Sequence, residues 1–288
     1  MERYRSLGTD TVDIIDAHQH CWELERPECE WPTPELEAIY RDFGMPELEA
    51  QAQPLGVIGS VLVQSQPSDE DTDYLLTIAD EHEFVRAVVG WVDLKAPQAP
   101  KRIRQLARHP KLRGLRPMLQ GLAHDDWIDD PALAPAIDAM IENQLSFDAL
   151  VYTRHLPFLR RFAQRFPKLT IIIDHGAKPP IAEGTWQPWQ QEMAAIAALE
   201  NIYCKLSGLV TEAAPDHGLL ELKPWVEQLL LLFGPSRLLW GSDWPVVNLE
   251  GGYRRWLRLS EALLASLSEP QRADVMAGSA RRAYRIRV

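Results

Sequence analysis

Eight short apolar runs recur along this chain of 288 residues, and each is followed by a stretch with helical periodicity. Their length and their content of branched residues are typical of buried parallel strands. Successive runs are spaced as in consecutive βαβ units, and eight such units in series can close into a barrel. The sequence therefore predicts an α/β protein with a (β/α)8 TIM barrel, organised as a single domain over residues 1–288. The predicted strands are VDIIDAH, VIGSVLVQ, VRAVVGWV, LRGLRPML, LSFDALVY, LTIIIDH, NIYCKLSG and RLLWGSDW.

The first predicted connection, at about residues 21–56, is the longest and is rich in proline, tryptophan and glutamate. Loops of this length in compact domains usually carry a function. Because the connection follows the C-terminal end of a strand, where barrel enzymes have their sites, Trp22, Trp31 and Tyr40 are candidates to cover a substrate pocket. The alternative is that these aromatic residues only anchor the loop to the barrel.

The net charge of the chain limits the kinds of binding partner that we expect. The formal net charge is -11 and no basic patch is evident, so neither a nucleic acid nor an anionic membrane surface is the expected partner. No run reaches the roughly 18 apolar residues of a membrane span, and residues 1–11 lack the apolar core of a signal peptide. We expect a cytoplasmic protein in which Cys21, Cys29 and Cys204, odd in number and without C-x-x-C spacing, are reduced thiols.

Polar residues at the ends of three predicted strands indicate a common site. His18 and His20 alternate in the first strand, so both imidazoles should point the same way, with Asp16 on the same face and Ile15 and Ala17 toward the helices. The sixth strand ends in His175 and the eighth in Asp243. In a closed barrel these strand ends share one rim, which predicts a pocket containing three imidazoles and a carboxylate.

Alternation along other strands points further polar side chains into the same barrel. Lys205 in the seventh strand, Arg116 in the fourth and Gln64 at the end of the second are predicted to face inward. A buried cation must find an anion or hydrogen-bond acceptors, so a substrate contact and a structural salt bridge are both open for Lys205 and Arg116. Four other histidines have charged neighbours in helical or turn-like stretches and are expected at the surface: His82, His109, His124 and His217.

The motifs DAHQH, GLRPML, RHLP, DHGAKP, KLSGL and LLWGSDWPV, spread over the whole chain, resemble the amidohydrolase superfamily and within it the amidohydrolase-2 branch. Their order is most similar to the sugar-lactone hydrolases of the L-fuconolactonase and L-rhamnonolactonase group, with 2-pyrone-4,6-dicarboxylate lactonase more distant. The resemblance implies a distorted barrel with its site at the C-terminal strand ends. It matches His18 and His20 to the strand-1 pair, His175 to the strand-6 histidine and Asp243 to the strand-8 acid.

The same resemblance bears on the metal. Binuclear members of the superfamily carry a bridging lysine or glutamate after the fourth or fifth strand. At those places this chain has Arg116 and Tyr152, with Arg154 and His155 just beyond, so at most one ion is expected. Its ligands would be His18, His20, His175 and Asp243, and zinc is the first choice, although the resemblance also allows catalysis without metal.

These features together predict a hydrolase that opens a sugar-derived lactone by attack of water. Asp243 would act as the base, while the three histidines, with or without an ion, polarise the carbonyl group. The partner is then a small lactone, and a homo-oligomer is possible. Two alternatives remain open, namely a metal-dependent nonoxidative decarboxylase of the same branch and a noncatalytic sugar-acid binding protein. The residues predicted to bind the substrate are Arg116, Lys205, Gln64, Trp31, Tyr152, Arg154 and His155.

Overall fold

Eight parallel strands form the sheet at the centre of the computed structural model, which describes residues 12–215 and 217–287. Each strand pairs with the next one along the chain, in the order β1 to β8. All eight strands predicted from the apolar runs are therefore confirmed. The segment at residues 1–11, for which no signal peptide is predicted, lies outside the described residues. The strands are β1 (Ile14–Gln19), β2 (Val57–Val63), β3 (Val85–Gly90), β4 (Leu112–Leu115), β5 (Ser146–Ala149), β6 (Ile171–Ile173), β7 (Ile202–Leu206) and β8 (Leu238–Trp240).

Helices follow every strand and cover the outside of the sheet. The helix after β2 shows how the sequence sets such a boundary. Its first turn is acidic, which suits the positive end of the helix dipole, and the Ser68 hydroxyl accepts from the Asp71 backbone N–H at 3.0 Å. The helices are α1 (Met45–Ala52), α2 (Asp69–Glu81), α3 (Ala99–Leu106), α4 (Ala134–Glu142), α5 (Leu156–Arg165), α6 (Trp189–Ala197), α7 (Leu219–Phe233), α8 (Tyr253–Leu263), α9 (Glu269–Ala273) and α10 (Ser279–Ala283), with a π-helical turn at Asp274–Gly278 before α10.

The barrel closes between β1 and the segment that follows β8. The His20 N–H donates to the Trp244 carbonyl at 2.8 Å, and the Asp243 N–H donates to the His18 carbonyl at 2.8 Å. Because regular pairing in β8 ends at Trp240, this seam is irregular, and the barrel is distorted there. The seam brings the backbone of the two strand-1 histidines directly beside that of Asp243.

The predicted alternation in β1 is wrong at its start. Asp16 turns away from the barrel interior, since its carboxylate accepts from the Tyr253 hydroxyl of α8 at 3.1 Å and from the Ser242 N–H at 2.7 Å. Ile15 and Ala17, expected to face the helices, instead belong to the inner apolar cluster. The cause is a register shift between Asp16 and Gln19, an extra residue in β1 that reverses the alternation before the histidines.

Apolar residues pack on both faces of the strands. The larger group lies between the strands and the helices, and it contains Cys204, whose thiol is buried and free, as expected. The smaller fills the barrel interior with alternate residues of β2 and β3, such as Val61 and Val89, and meets Tyr284 from the end of the chain. The Tyr284 hydroxyl donates to the Asp148 carboxylate of β5 at 2.5 Å. The C-terminal segment therefore closes the barrel from below and contacts a buried charge.

The long first connection, between β1 and α1, is fixed to the rest of the protein by packing and hydrogen bonds. Trp22 is buried, pairs with Phe43 through two backbone hydrogen bonds of 3.0 Å, and donates its indole N–H to the Arg41 carbonyl at 2.8 Å. Tyr40 is 42% exposed. Of the three aromatic candidates, Trp22 thus anchors the loop, and Trp31 remains for the pocket.

One histidine expected at the surface is buried. His217 accepts from the Arg255 guanidinium at 2.8 Å and lies beside the Glu250 carboxylate, so its charged neighbours are internal partners and not signs of exposure. His124 is exposed, and His82 and His109 are partly so. Across the described ranges, no helix has the length and apolar character needed to cross a membrane.

Substituting Tyr284→Phe should destabilise the protein, because it removes a hydrogen bond to a buried carboxylate. We expect a loss of about 1.5–3 kcal/mol in the free energy of unfolding, measured by urea denaturation. Tyr203→Phe is the matched control, since that half-buried hydroxyl makes no hydrogen bond within the described part of the chain. Equal unfolding midpoints for the two variants would contradict the proposed support of the Asp148 carboxylate.

Candidate active site

Four side chains from β1, the β6 end and the β8 end converge at the C-terminal rim. The Asp243 Oδ1 lies 3.7 Å from the Nε2 of His18, 3.5 Å from that of His20 and 4.0 Å from that of His175. All four side chains are nearly inaccessible to solvent. The structure thus brings together the three imidazoles and the carboxylate that the strand ends predict.

Two of these side chains are positioned by residues with an unusual backbone conformation. His175 and Asp243 have φ values of 53° and 59°. These values lie in the left-handed region of backbone conformation, which residues other than glycine rarely adopt. Strain of this kind persists where the surrounding structure enforces it, and it is concentrated at functional sites. Gly208 makes room for the turn, because a Cβ atom there would lie 2.5 Å from the His175 Nδ1. The glycine of the KLSGL motif is therefore required by the site.

Hydrogen bonds on the far side of the rings assign the tautomers of the β1 histidines. The Val63 carbonyl lies 2.8 Å from the His20 Nδ1, so this nitrogen carries the proton and Nε2 is an acceptor. The His18 Nε2, 3.1 Å away, must then donate, which leaves its Nδ1 unprotonated. That nitrogen accepts from the Lys205 ammonium at 2.9 Å. Three consistent hydrogen bonds therefore run from the buried cation through both imidazoles.

A compact group of buried charges lies beneath the histidines. The Lys205 Nζ is 2.7 Å from the Asp148 Oδ2 and 2.9 Å from the Asp174 Oδ1. The Arg116 guanidinium donates to the Asp174 Oδ2 at 3.2 Å and to the Gln64 Oε1 at 2.8 Å. Buried carboxylates and cations thus compensate one another, and the structural salt bridge that the sequence leaves open is formed by both cations.

Sequence reasoning missed both acids of this group. Asp148 is the only charged residue of the β5 run, and Asp174 directly precedes His175 at the end of β6. A carboxylate within an apolar strand is expensive to bury and is therefore the signal that could have found Asp148. Once Lys205 is placed inside the barrel, an inward acid on another strand is the expected partner.

Burial and charge set the protonation states. Burial lowers the pKa of His175 to about 4, and burial together with the Lys205 charge lowers the pKa of His18 well below its usual value. Burial alone would raise the pKa of Asp243, but the imidazoles of His175, His20 and His18 outweigh it and hold the pKa below the usual value. At neutral pH the site therefore presents an ionised carboxylate beside uncharged rings of His18 and His175.

His20, His175 and Asp243 form the floor of a cavity of about 130 Å³. Its wall has seven polar or charged residues and four apolar ones, which is a more polar lining than small-molecule sites usually have. The polar and charged lining residues are His20, Ser65, Arg116, Gln120, His175, Lys178 and Asp243. The apolar ones are Trp31, Met118, Leu150 and Val246.

The predicted substrate-binding residues divide into three groups. Arg116 and Trp31 line the cavity. Gln64 is buried behind the wall, where its side-chain oxygen holds the Arg116 guanidinium, and Lys205 lies beneath the floor.

The third group, Tyr152, Arg154 and His155, does not line the cavity, because the chain turns directly into α5. The His155 Nδ1 accepts from the Tyr152 N–H at 2.9 Å, and its Nε2 lies 3.1 Å from the Asp125 carboxylate. Arg154 also pairs with Asp125 and is half-exposed. These contacts organise the start of the helix outside the pocket.

The fold and the site define a hydrolase-type barrel with a histidine and aspartate centre. The family model described as Amidohydrolase (Amidohydro_2) matches residues 15–286, and the chain belongs to this family. A relative in Burkholderia ambifaria named L-fucono-1,5-lactonase is 54% identical over 276 residues, which is 94% of this chain and 95% of that protein.

Two further comparisons come from Burkholderia multivorans. A protein named L-fucono-1,5-lactonase is 35% identical over 284 residues, covering 94% of this chain and 95% of its own. A crystal structure of an amidohydrolase with bound zinc has a TM-score of 0.90 and 33% identity, over 95% of this chain and 99% of the other. In this chain, ligand atoms of His18, His175 and Asp243 lie within 4.8 Å of one another, as in a group that could hold a metal ion.

Substituting Gln66→Leu should release the loop that carries Trp31 over the cavity. The Gln66 side chain accepts from the N–H groups of Glu30 and Trp31 at 3.1 and 3.3 Å and donates to the Trp31 carbonyl at 2.6 Å. Losing these contacts weakens local stability by about 1–2 kcal/mol, so the two amides should exchange about 5- to 30-fold faster in hydrogen-exchange mass spectrometry. The partly exposed Gln51→Leu variant should exchange like the wild type at these two amides, and unchanged protection in Gln66→Leu would contradict the anchoring role.

Proposed function

We propose that this protein is a hydrolase that opens a sugar-derived lactone, such as L-fucono-1,5-lactone, by attack of water. The observation that carries the proposal is the Asp243 carboxylate in the cavity, with an oxygen 3.5 to 4.0 Å from the Nε2 atoms of three imidazoles. The identity of 54% to a protein named L-fucono-1,5-lactonase supports the substrate class. The substrate is then a small cyclic ester, and the cytoplasmic location and a homo-oligomer stay predictions.

The residues of the cavity suit each step of ester hydrolysis. Asp243 takes a proton as the oxygen of a water molecule bonds to the carbonyl carbon. The charge that develops on the carbonyl oxygen needs donors, and Arg116 and His175 line the cavity beside Asp243. When the intermediate collapses, the bond between the carbonyl carbon and the ring oxygen breaks, and the proton on Asp243 passes to that ring oxygen. The product is an open-chain hydroxy acid.

We propose that the site also holds one divalent ion, with zinc the first choice and His18, His20, His175 and Asp243 as ligands. The Nδ1 atoms of His20 and His175 are hydrogen-bonded to the Val63 carbonyl and to a serine hydroxyl, which is how metal-ligating histidines are usually oriented. A bound zinc ion supplies Lewis-acid polarisation of a carbonyl group.

Asp174 supplies a second reason for the metal proposal. Its Oδ1 is buried, is paired with the Lys205 ammonium at 2.9 Å, and lies 3.5 Å from the His18 Nδ1. If the His18 Nε2 faces a cation, the ring proton resides on Nδ1, and this oxygen can accept it. Without an ion, the hydrogen bond from Lys205 holds the same ring in place. The buried acid thus accommodates the tautomer that a metal requires.

The variant Asp243→Asn should fold but lose turnover, because an amide cannot accept the proton of the attacking water. We expect kcat for L-fucono-1,5-lactone to fall by about 10²- to 10⁴-fold in a pH-indicator assay of acid release. Asp80→Asn, an exposed acid paired with His109, is the control and should retain full activity. Turnover near the wild-type rate in folded Asp243→Asn would refute the base assignment. Release of carbon dioxide from a carboxylated ring, without lactone hydrolysis, would favour the decarboxylase.

Metal content can be tested apart from activity. Untreated protein should contain about one equivalent of zinc by elemental analysis, since such sites bind a single ion. After chelation, added zinc should raise the melting temperature of the wild type, because a ligand of the native state stabilises it, and should not raise that of His175→Asn. Protein that contains no metal and shows no thermal shift would refute the metal proposal and leave the lactonase proposal standing.

A further inference from the structure

The turn after β6 is left-handed over four consecutive residues. The φ values are 53° for His175, 59° for Gly176, 60° for Ala177 and 49° for Lys178. Only Gly176 adopts this conformation without steric cost, and left-handed residues ordinarily occur singly. The Lys178 N–H donates to the His175 carbonyl at 2.8 Å, which closes the turn. Three strained residues within one four-residue turn indicate that the turn has a purpose beyond connecting β6 to α6.

The geometry of the turn places two side chains together. In a tight turn with a hydrogen bond from residue i+3 to residue i, the side chains of these two residues lie on the same side. His175 and Lys178 are such a pair, and both line the cavity. The strained turn therefore brings a lysine to the pocket wall in addition to the histidine at its floor.

The Lys178 ammonium retains free donor capacity. Its Nζ lies 3.6 Å from the Glu212 Oε1, which is longer than a full hydrogen bond, and 5.5 Å from the centre of the Tyr152 ring. Within the described ranges it donates no hydrogen bond, although an ammonium has three donors. By contrast, the Arg116 guanidinium is committed to Gln64 and an internal acid. Lys178 is thus the cavity-lining cation whose N–H donors are all unused in the described part of the chain.

The lysine and its acidic partner together match a hydroxyl group. A hydroxyl oxygen near both could accept from the Lys178 Nζ and donate to the Glu212 carboxylate, which satisfies donor and acceptor at once. Both side chains are about four-fifths buried, at 19% and 22% exposure, so such a pair would be shielded from competing water. A lactone ring without hydroxyl groups has no such group to place between Lys178 and Glu212.

Resting on the proposed function, we propose that Lys178, with Glu212, binds a ring hydroxyl of the lactone and so selects hydroxylated lactones over unsubstituted ones. The carbonyl chemistry stays at Asp243 and His175, which line the same cavity as Lys178. A site built to bind a hydroxyl discriminates strongly against a substrate that lacks it. Lys178 is therefore a specificity residue, and its removal should act on one substrate class.

The test compares L-fucono-1,5-lactone with δ-valerolactone, which has no hydroxyl groups. In Lys178→Met we expect kcat/KM for the sugar lactone to fall by about 30-fold or more, mainly through KM, while that for δ-valerolactone stays within about threefold. Lys178→Gly should behave alike and relieves the backbone strain, so that folding is preserved. Lys223→Met, an exposed lysine of α7, is the control for loss of charge.

Equal loss on both lactones would overturn the proposal, because Lys178 would then act at the carbonyl group, and so would no loss on either. A wild type that hydrolyses neither lactone would refute the proposed function separately. Binding then decides the role of Lys178. L-fuconate should bind Asp243→Asn about tenfold or more tightly than it binds the double variant with Lys178→Met, as measured by calorimetry. Equal affinities would overturn the proposal.

Discussion

The buried Lys205 ammonium is the contact on which the site depends. It touches two carboxylates, Asp148 and Asp174, and one imidazole, that of His18, at 2.7 to 2.9 Å, with no access to solvent. Burial raises the pKa of Asp148. Burial acts in the same direction on Asp174, but Lys205 and His18 outweigh it and hold that pKa well below its usual value. Removing such a cation would leave an uncompensated charge in the barrel, which is far costlier than removing a surface charge.

This contact also links the bottom of the barrel to its rim. Tyr284, from the end of the chain, reaches Asp148 from below, and Lys205 reaches His18 from the same carboxylate group. The hydrogen bonds then continue to His20 and to the Val63 carbonyl. The orientation of both strand-1 imidazoles therefore depends on polar contacts that lie deeper in the barrel than the cavity. A substitution in the C-terminal segment can therefore alter the orientation of the site histidines without contacting them.

The sequence predicted the strands and the converging groups because both follow from periodicity. Apolar runs of strand length identify β1 to β8, and strand ends in a closed barrel must share a rim, which places His18, His20, His175 and Asp243 together. Asp16 was misplaced because a one-residue register shift cannot be read from alternation.

The positions of the rim residues have a related cause. Tyr152, Arg154 and His155 were assigned to the pocket by position after a strand, whereas the hydrogen bond from the Tyr152 N–H to His155 starts a helix there instead. The importance of Lys178 was hidden for the same reason, since only Gly176 within the turn signals a left-handed backbone. Local backbone conformation, and not the pattern of apolar residues, decides which side chains of a rim loop reach the cavity.

The two cations at the cavity have different tasks because of what surrounds them. Arg116 is held by Gln64 and Asp174, so its position is fixed beside the carboxylate Asp243 and it can stabilise charge that develops there. Lys178 is held only by a loose pair with Glu212 and by the turn that carries it. The residues that catalyse hydrolysis therefore lie on the cavity floor, which is held by the barrel core. The residues that recognise the substrate lie on the rim. Substitutions in the rim loops can then change the lactone that is bound while leaving the hydrolytic groups in place.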